Sequence, residues 1–335
     1  MTNLDRNIGL LVPALAEPRN MSSPAPWSGH TPFAMWLITV LQPRILVELG
    51  SYSGISYLAF CQAVEAAGLD TLCYAVDTWE GDEHAGYYGE HIFQTLRQNH
   101  DPRYANFSTL LRKTFDEAVT QFRDASIDLL HIDGLHTYEA VRHDFETWLP
   151  KLSVRGVVLF HDTEVRENDF GVWRFWEETC QKNPGFSFQH SHGLGVLFVG
   201  SSSLEFMISL GLDPRKPESM VNFKRVFEAL GRAQEYRAEL HSINHQWGEA
   251  KVALQQVHAQ LEEAVIPHKL ALIASEQECQ NLQARLKAEL QAKAELQHSI
   301  AAQNRWIQKQ DQIIIARDQA LALKSSQLDI MDAAY

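Results

Sequence analysis

Cysteine is scarce in this chain, and long apolar runs are missing. No apolar run approaches the roughly 20 residues that a membrane-spanning helix needs, and the N-terminus has no basic-then-apolar signal pattern. The four cysteines lack metal-type spacing, which indicates free thiols in a reducing compartment. We therefore predict a cytoplasmic protein; its cysteines are Cys61, Cys73, Cys180 and Cys279.

Basic residues are scarce in residues 1–220, which contain most of the acidic residues. Residues 1–220 contain 16 Lys and Arg against 28 Asp and Glu, so they carry nearly all of the net charge of −13. Nucleic acids and anionic membrane surfaces attract basic patches and stripes. The charge pattern therefore argues against both as partners.

Glycine and proline nearly disappear after residue 220, where only Gly231, Gly248 and Pro267 remain. Alanine, glutamine, glutamate, leucine and lysine dominate there, a composition typical of long helices. We predict that residues 220–335 form a helical coiled-coil region, broken near Pro267, that makes the protein a homo-oligomer.

Heptad positions support this prediction unevenly. The first run has Leu240, Trp247, Leu254 and Leu261 at a positions, with Ile243, Ala250, Val257 and Ala264 at d positions. The second run has Leu272, Cys279, Leu286, Ile300, Ile307, Ile314 and Leu321 at a positions, with Leu282 and Leu296 at d positions. Lys293 interrupts the second run, for which a single helix or disorder is the alternative.

The earlier part of the chain centres on residues 45–56, Ile-Leu-Val-Glu-Leu-Gly-Ser-Tyr-Ser-Gly-Ile-Ser. The apolar run predicts a buried parallel strand, and the two glycines predict a sharp loop that opens a helix. The pattern E-x-G-x-x-x-G differs from the dinucleotide pattern G-x-G-x-x-G. Its carboxylate would repel a pyrophosphate and suit a cationic ligand, although an ordinary tight turn remains the alternative.

Four more apolar segments have strand character, and three of them end in aspartate. They lie near residues 71–77, 107–111, 125–133 and 156–163, with helical patterns between most of them. This alternation predicts an α/β fold with a doubly wound, Rossmann-like parallel sheet. Residues 186–190 and 194–199 are predicted to close it as an antiparallel hairpin.

The remaining segments of the sheet domain have less regular patterns. Residues 1–30 contain four prolines, which predict an irregular arm, and the sheet domain is expected over residues 31–215. Residues 79–104 are expected to be a long polar and aromatic connection, too rich in glycine at its start for a stable helix. Such a connection in a compact domain is usually functional.

Three motifs resemble a known family. They are Ile-Asp-Gly-Leu-His-Thr-Tyr at residues 132–138, Asp144 followed by Trp148-Leu-Pro, and Val-Val-Leu-Phe-His-Asp at residues 157–162. Together with the 45–56 loop, they resemble class I S-adenosylmethionine-dependent methyltransferases. The similar bacterial family includes sugar and macrolide O-methyltransferases and cephalosporin-hydroxylase-like proteins, and the resemblance covers about residues 25–200.

The resemblance implies a set of site residues. Glu48, Gly50, Ser51, Gly54, Asp77 and Asp133 would bind S-adenosylmethionine, with Asp77 on the ribose hydroxyls. Asp133, His161 and Asp162 would hold Mg²⁺ or Mn²⁺, and His136 would be the general base. His161 stands where relatives often have an acidic residue, which leaves two firm metal ligands.

Two classes of function follow. The first is an O-methyltransferase that acts on a hydroxyl of a sugar, glycan or glycosylated natural product, with the tail as an oligomerisation or glycosyltransferase-docking element. An alcohol is a poor nucleophile unless a base or a cation activates it, and the acidic strand ends suit that chemistry. The second is a non-catalytic methyltransferase-like domain in a coiled-coil scaffold of glycan assembly. A hydroxylase-like relative is a third, weaker interpretation.

Overall fold

The computed structural model describes residues 9, 11–21, 26–263 and 269–332. Contacts divide the chain into two compact units, residues 5–238 and residues 239–335. The first unit contains the sheet, and the second contains helix alone among its described residues.

A seven-stranded mixed sheet forms the centre of the first unit. Its strands are β1 (Ile45–Leu49), β2 (Leu72–Asp77), β5 (Ser108–Arg112), β6 (Ile127–Ile132), β7 (Leu152–His161), β8 (Gly185–Phe188) and β9 (Leu194–Phe198). The order is β5-β2-β1-β6-β7-β9-β8, with the first five strands parallel and β9 antiparallel to both neighbours. The predicted Rossmann-like sheet with a closing hairpin is confirmed.

Helices cover both faces of the sheet. They are α1 (Thr31–Leu41), α2 (Ile55–Ala67), α3 (Glu90–Tyr104), α4 (Phe115–Val119), α5 (Tyr138–Trp148), α6 (Val172–Cys180) and α7 (Ser201–Ser209). Short 3₁₀ helices occupy Val12–Leu15, Pro26–His30 and Leu149–Lys151. Alternate residues of β7 enter two separate cores, Val157 and Leu159 on one face, Val158 and Phe160 on the other. This alternation explains why the strand is apolar at every position from Val157 to Phe160.

The connection at residues 79–104 is more regular than expected. It contains a two-stranded hairpin, β3 (Gly81–Asp82) and β4 (Gly86–Tyr87), followed by the 15-residue helix α3. The last glycine, Gly89, lies at the N-cap of this helix, so the glycines that argued against a helix all precede it. Leu96, His100 and Tyr104 bury one side of α3.

Two long helices end the described chain, α8 (Pro217–Glu263) and α9 (Lys269–Asp332). The composition changes near residue 220, but α8 stays with the sheet unit as far as residue 238. The reason is aromatic packing: Phe223 and Phe227 contact Trp36, with ring centroids 4.9 and 5.4 Å apart. Phe227 is fully buried.

The helical tail is therefore observed, whereas the pairing of its heptads stays a prediction. Pro267 and Ala264 lie outside the described residues, as do the side chains at heptad positions 261, 272, 307, 314 and 321. None of the helices in the described ranges is long and apolar enough to cross a membrane.

Removal of the tail tests its predicted role in assembly. If the heptads pair, the full chain should sediment as a dimer or larger oligomer, and a chain ending after Ala238 should sediment as a smaller species. Leu286→Asp, at an a position, should shift the full chain toward the smaller species. Leu290→Asp, at an exposed position outside the seam, is the matched control. Sedimentation velocity measures both, and an unchanged oligomer after truncation would exclude the tail from assembly.

The burial of Asp144 on α5 can be tested by measuring the free energy of unfolding at several pH values. Burial raises the pKa of this carboxyl to about 7, against the opposing effect of His143. The native state therefore keeps a proton that the unfolded chain releases near pH 4, so stability should fall as pH rises from about 4 to about 7. Asp144→Asn should be more stable than the wild type at pH 8, by roughly 1–4 kcal/mol, and this gain should vanish near pH 4.

Denaturant unfolding at several pH values measures the difference. Glu139→Gln removes an exposed carboxylate in the first turn of the same helix and should not reproduce the gain. Parallel pH profiles for the wild type and Asp144→Asn would contradict the assignment.

Candidate active site

The carboxyl ends of three parallel strands meet at one edge of the sheet. Leu49 at the end of β1 pairs with Val76 of β2 and with Ile132 of β6. The Gly50 N–H donates to the Val76 carbonyl at 2.9 Å, and the Asp133 N–H donates to the Leu49 carbonyl at 2.8 Å. The loop after β1 is thereby fixed between Asp77, which ends β2, and Asp133, which follows β6.

Both glycines of this loop adopt left-handed backbone angles. Gly50 has φ +83°, and a Cβ there would lie 2.1 Å from the Asp133 carbonyl oxygen. Gly54 has φ +84°, caps α2, and would place a Cβ 2.3 Å from a methyl carbon of Leu96. Glycine is required at both positions because a side chain would be strained and would clash.

Asp77 holds the loop through its carboxylate. Oδ2 accepts hydrogen bonds from the backbone N–H groups of Ser51 and Tyr52, both at 2.9 Å. Oδ1 accepts from the N–H of Trp79 at 2.7 Å. The residue predicted to bind ribose therefore borders the cavity and also organises the backbone around it.

Glu48 supports the loop from inside the protein. It is fully buried, and its carboxylate accepts from the Ser51 hydroxyl at 2.7 Å and contacts His131 Nδ1 at 2.8 Å. Because Trp27 Nε1–H donates to His131 Nε2 at 3.1 Å, the His131 Nδ1–H donates to Glu48. Glu48, Ser51 and Gly54, which were predicted to bind the cofactor, are not among the residues that line the cavity.

A cavity opens above this loop. Four predicted residues line it: Gly50, Asp77, Asp133 and His136. Sequence reasoning missed several others, namely Tyr52, Thr78, Gly81, Asp82, Ala85, Tyr88, Thr114, Phe115, Gly134 and Leu135. Tyr52 lies inside the loop motif, and residues 81–88 lie in the connection that was expected to be functional.

Two carboxylates and one imidazole converge at the acidic edge of this cavity. Asp133, His136 and Asp162 each offer one ligand atom, and these atoms all lie within 4.8 Å of one another. His136 Nε2 lies 3.0 Å from Asp162 Oδ2 and 3.5 Å from Asp133 Oδ1. Carboxylate oxygens and a ring nitrogen are suitable donors for a divalent cation, so the residues present fit such an ion.

His161, the predicted third ligand, is adjacent to this group without belonging to it. Its Nδ1 lies 3.2 Å from Asp133 Oδ1, and its Nε2 lies 3.2 Å from the Ser191 carbonyl oxygen. Both ring nitrogens are therefore engaged by the protein. His136, predicted as the general base, stands in its place.

The charges within the group stabilise one another. Burial raises the pKa values of Asp133 and Asp162, but the nearby imidazoles outweigh burial and lower both. Burial lowers the pKa of His136, and its bonds to the two carboxylates then raise it to about 9. Both aspartates are thus ionised at neutral pH, as cation ligands must be, whereas His136 holds a proton there and would have to release it to coordinate an ion.

Comparisons with known proteins identify the class of the sheet unit. Residues 47–163 match the family described as "Methyltransferase domain". An uncharacterized protein of Sinorhizobium fredii, y4gI, is 52% identical over 201 residues, which are 60% of this chain and 22% of that protein. The chain thus spans about a fifth of the curated relative.

Solved structures give distant likenesses. Three of them, each 13–15% identical to this chain, are the SAH-bound methyltransferase PaMTH1 from Podospora anserina, the SAM-bound O-methyltransferase TomG from Streptomyces achromogenes and the SAH-bound O-methyltransferase from Bacillus cereus. Their TM-scores are 0.39, 0.41 and 0.37. The likenesses cover 50%, 59% and 58% of this chain and 76%, 87% and 89% of those chains.

Residues 47–163, about a third of the chain, thus match a methyltransferase domain. The resemblance to class I S-adenosylmethionine-dependent methyltransferases is confirmed by the family match over the loop and the acidic strand ends.

Loss of the Asp77 carboxylate should weaken cofactor binding. Asp77→Ala leaves three loop N–H groups without their acceptor, so the affinity for S-adenosylmethionine should fall by roughly 1–3 kcal/mol. Isothermal titration calorimetry measures the change, and Glu80→Ala, which removes an exposed carboxylate nearby, is the control. Unchanged affinity in Asp77→Ala, or a preference for NAD over S-adenosylmethionine, would contradict this site.

Proposed function

We propose that the protein transfers a methyl group from S-adenosylmethionine to a hydroxyl of a sugar, glycan or glycosylated natural product, with a divalent cation in the site. The observation that carries the proposal is the cluster of Asp133, His136 and Asp162 at the edge of the cavity that the Gly50 loop borders. Two members of the cluster, Asp133 and His136, line this cavity, and Asp162 contacts His136 from outside its lining.

Each part of the site has its own contribution to this reaction. When bound, S-adenosylmethionine would supply an electrophilic methyl group and leave as S-adenosylhomocysteine, and Mg²⁺ or Mn²⁺ would lower the pKa of a hydroxyl beside it, whose proton would pass to water. The protein orients the cofactor with the loop that Asp77 ties down. Asp133 and Asp162 supply the negative charge that holds the cation, and His136 completes the donor set.

The role of His136 changes accordingly. A general base needs a nitrogen within hydrogen-bond reach of the hydroxyl proton. His136 Nε2 is directed at the two carboxylates, and its Nδ1 is buried without a hydrogen-bond partner among the described residues. We therefore assign His136 to the cation site.

The tail remains a proposed interaction element. Self-association through the heptads, or docking of glycosyltransferase partners, would place the domain beside other enzymes of glycan assembly. A purely structural role for the sheet unit is less well supported because Asp77, Asp133 and Asp162 are all present at its edge.

Removal of divalent ions should test whether methyl transfer requires the proposed cation. Radiolabelled methyl transfer to UDP-glucose, UDP-galactose and UDP-N-acetylglucosamine should be lost in chelator and restored by Mg²⁺ or Mn²⁺. Asp162→Asn should lower kcat/KM by about 10²-fold or more because it removes one charged ligand. Glu167→Gln, which neutralises an exposed carboxylate five residues away, should behave as the wild type.

Calorimetric titration of Mn²⁺ into the protein provides a readout that does not depend on the acceptor. Asp162→Asn should weaken Mn²⁺ binding, and Glu167→Gln should not. Full methyl transfer in chelator, with no Mn²⁺ binding, would remove the cation from the proposal and retain the transferase.

A further inference from the structure

The imidazole of His136 is enclosed on several sides. Its ring stacks against Phe170, with centroids 4.6 Å apart and an interplanar angle of 5°. Nε2 faces Asp133 and Asp162, as described above. His136 Nε2 is therefore not free to accept a hydrogen bond from a hydroxyl that approaches the two carboxylates.

His192 is placed to be that partner. Its side chain is 53% exposed, and Nδ1 lies 3.1 Å from Asp162 Oδ1. His136 contacts the other oxygen of the same carboxylate, Oδ2. A carboxylate that accepts from Nδ1–H fixes the tautomer of an imidazole and leaves Nε2 as a hydrogen-bond acceptor.

The turn that carries His192 has an uncommon backbone. Ser191, His192 and Gly193 have φ values of +53°, +65° and +89°, and Asp162 itself has φ +59°. Non-glycine residues rarely occupy this region, and such conformations persist where the surrounding structure enforces them, often at functional sites. The Asp162–His192 contact thus joins two residues that are both held in the left-handed region.

Buried groups enforce the conformation of this turn. The Ser191 carbonyl oxygen lies 3.1 Å from Nε2 of the fully buried His30 and 3.2 Å from His161 Nε2. The Glu164 N–H donates to the His192 carbonyl at 2.8 Å. The backbone that carries His192 is therefore held by the protein interior, although the ring itself is half exposed.

We propose that His192 binds the methyl acceptor, with Nε2 accepting a hydrogen bond from the acceptor hydroxyl while Asp162 orients the ring. This inference rests on the proposed methyl transfer and adds the residue that selects a hydroxyl-bearing substrate. In this arrangement Asp162 Oδ2 faces His136 of the cation group, and Oδ1 orients the His192 ring that binds the acceptor.

The test compares four proteins: the wild type, His192→Ala, His192→Gln and Gln189→Ala. Methyl transfer is measured with UDP-glucose, UDP-galactose and UDP-N-acetylglucosamine as acceptor probes, and S-adenosylhomocysteine and Mn²⁺ binding are measured by calorimetry. We expect His192→Ala to raise the acceptor KM about tenfold, the effect of one lost hydrogen bond, with little change in either dissociation constant. His192→Gln should recover part of the loss because its amide can occupy the position of Nε2. Gln189→Ala, an exposed change in the same hairpin, should match the wild type.

Three results would overturn the inference. Wild-type kcat/KM in His192→Ala would show that the ring does not meet the acceptor. An equal loss of S-adenosylhomocysteine affinity, or a lowered thermal midpoint with no recovery in His192→Gln, would indicate a structural role. If the wild type methylates none of the three probes, the proposed function is rejected as well. Full activity of His192→Ala rejects this inference alone.

Discussion

The loop after β1 depends on one buried carboxyl group, that of Glu48, near the end of this strand. A carboxylate removed from water is costly unless hydrogen bonds satisfy it. Glu48 is satisfied by Ser51 of the loop and by His131 of β6, and His131 in turn is bonded by Trp27 from the N-terminal segment. This one carboxyl group thus joins the loop, the neighbouring strand and a segment about 20 residues upstream.

Sequence patterns predicted the parts of the site that depend on strand order. Strands that alternate with helices form a parallel sheet, in which the carboxyl ends of the strands lie at one edge. Asp77, Asp133 and Asp162 could therefore be expected at that edge. The pattern could not show which histidine completes the carboxylate pair. His161 lies at the right strand end, but the Ser191 carbonyl, 30 residues away along the chain, engages its Nε2. His192 gave no local signal because only the hairpin brings it to Asp162.

Other differences between prediction and structure also come from distant contacts. The glycines of residues 81–89 suggested an irregular connection, yet α3 forms directly after them and packs through Leu96, His100 and Tyr104. Composition indicated a tail from residue 220, whereas Phe223 and Phe227 keep the start of α8 on the sheet unit. Local patterns predicted the helices and strands better than they predicted which of them pack together.

The antiparallel course of β9 has a consequence for how this protein could diverge. Because His161 pairs with Leu194, the turn at residues 189–193 lies at the carboxyl end of β7, on the far side of Asp162 from the Gly50 loop. Because buried histidines hold the Ser191 carbonyl, only the exposed side chains of this turn can change without disturbing other contacts. Under the proposed role of His192, a relative could therefore exchange one acceptor for another by changing an exposed side chain of the turn, while the Gly50 loop stays as it is.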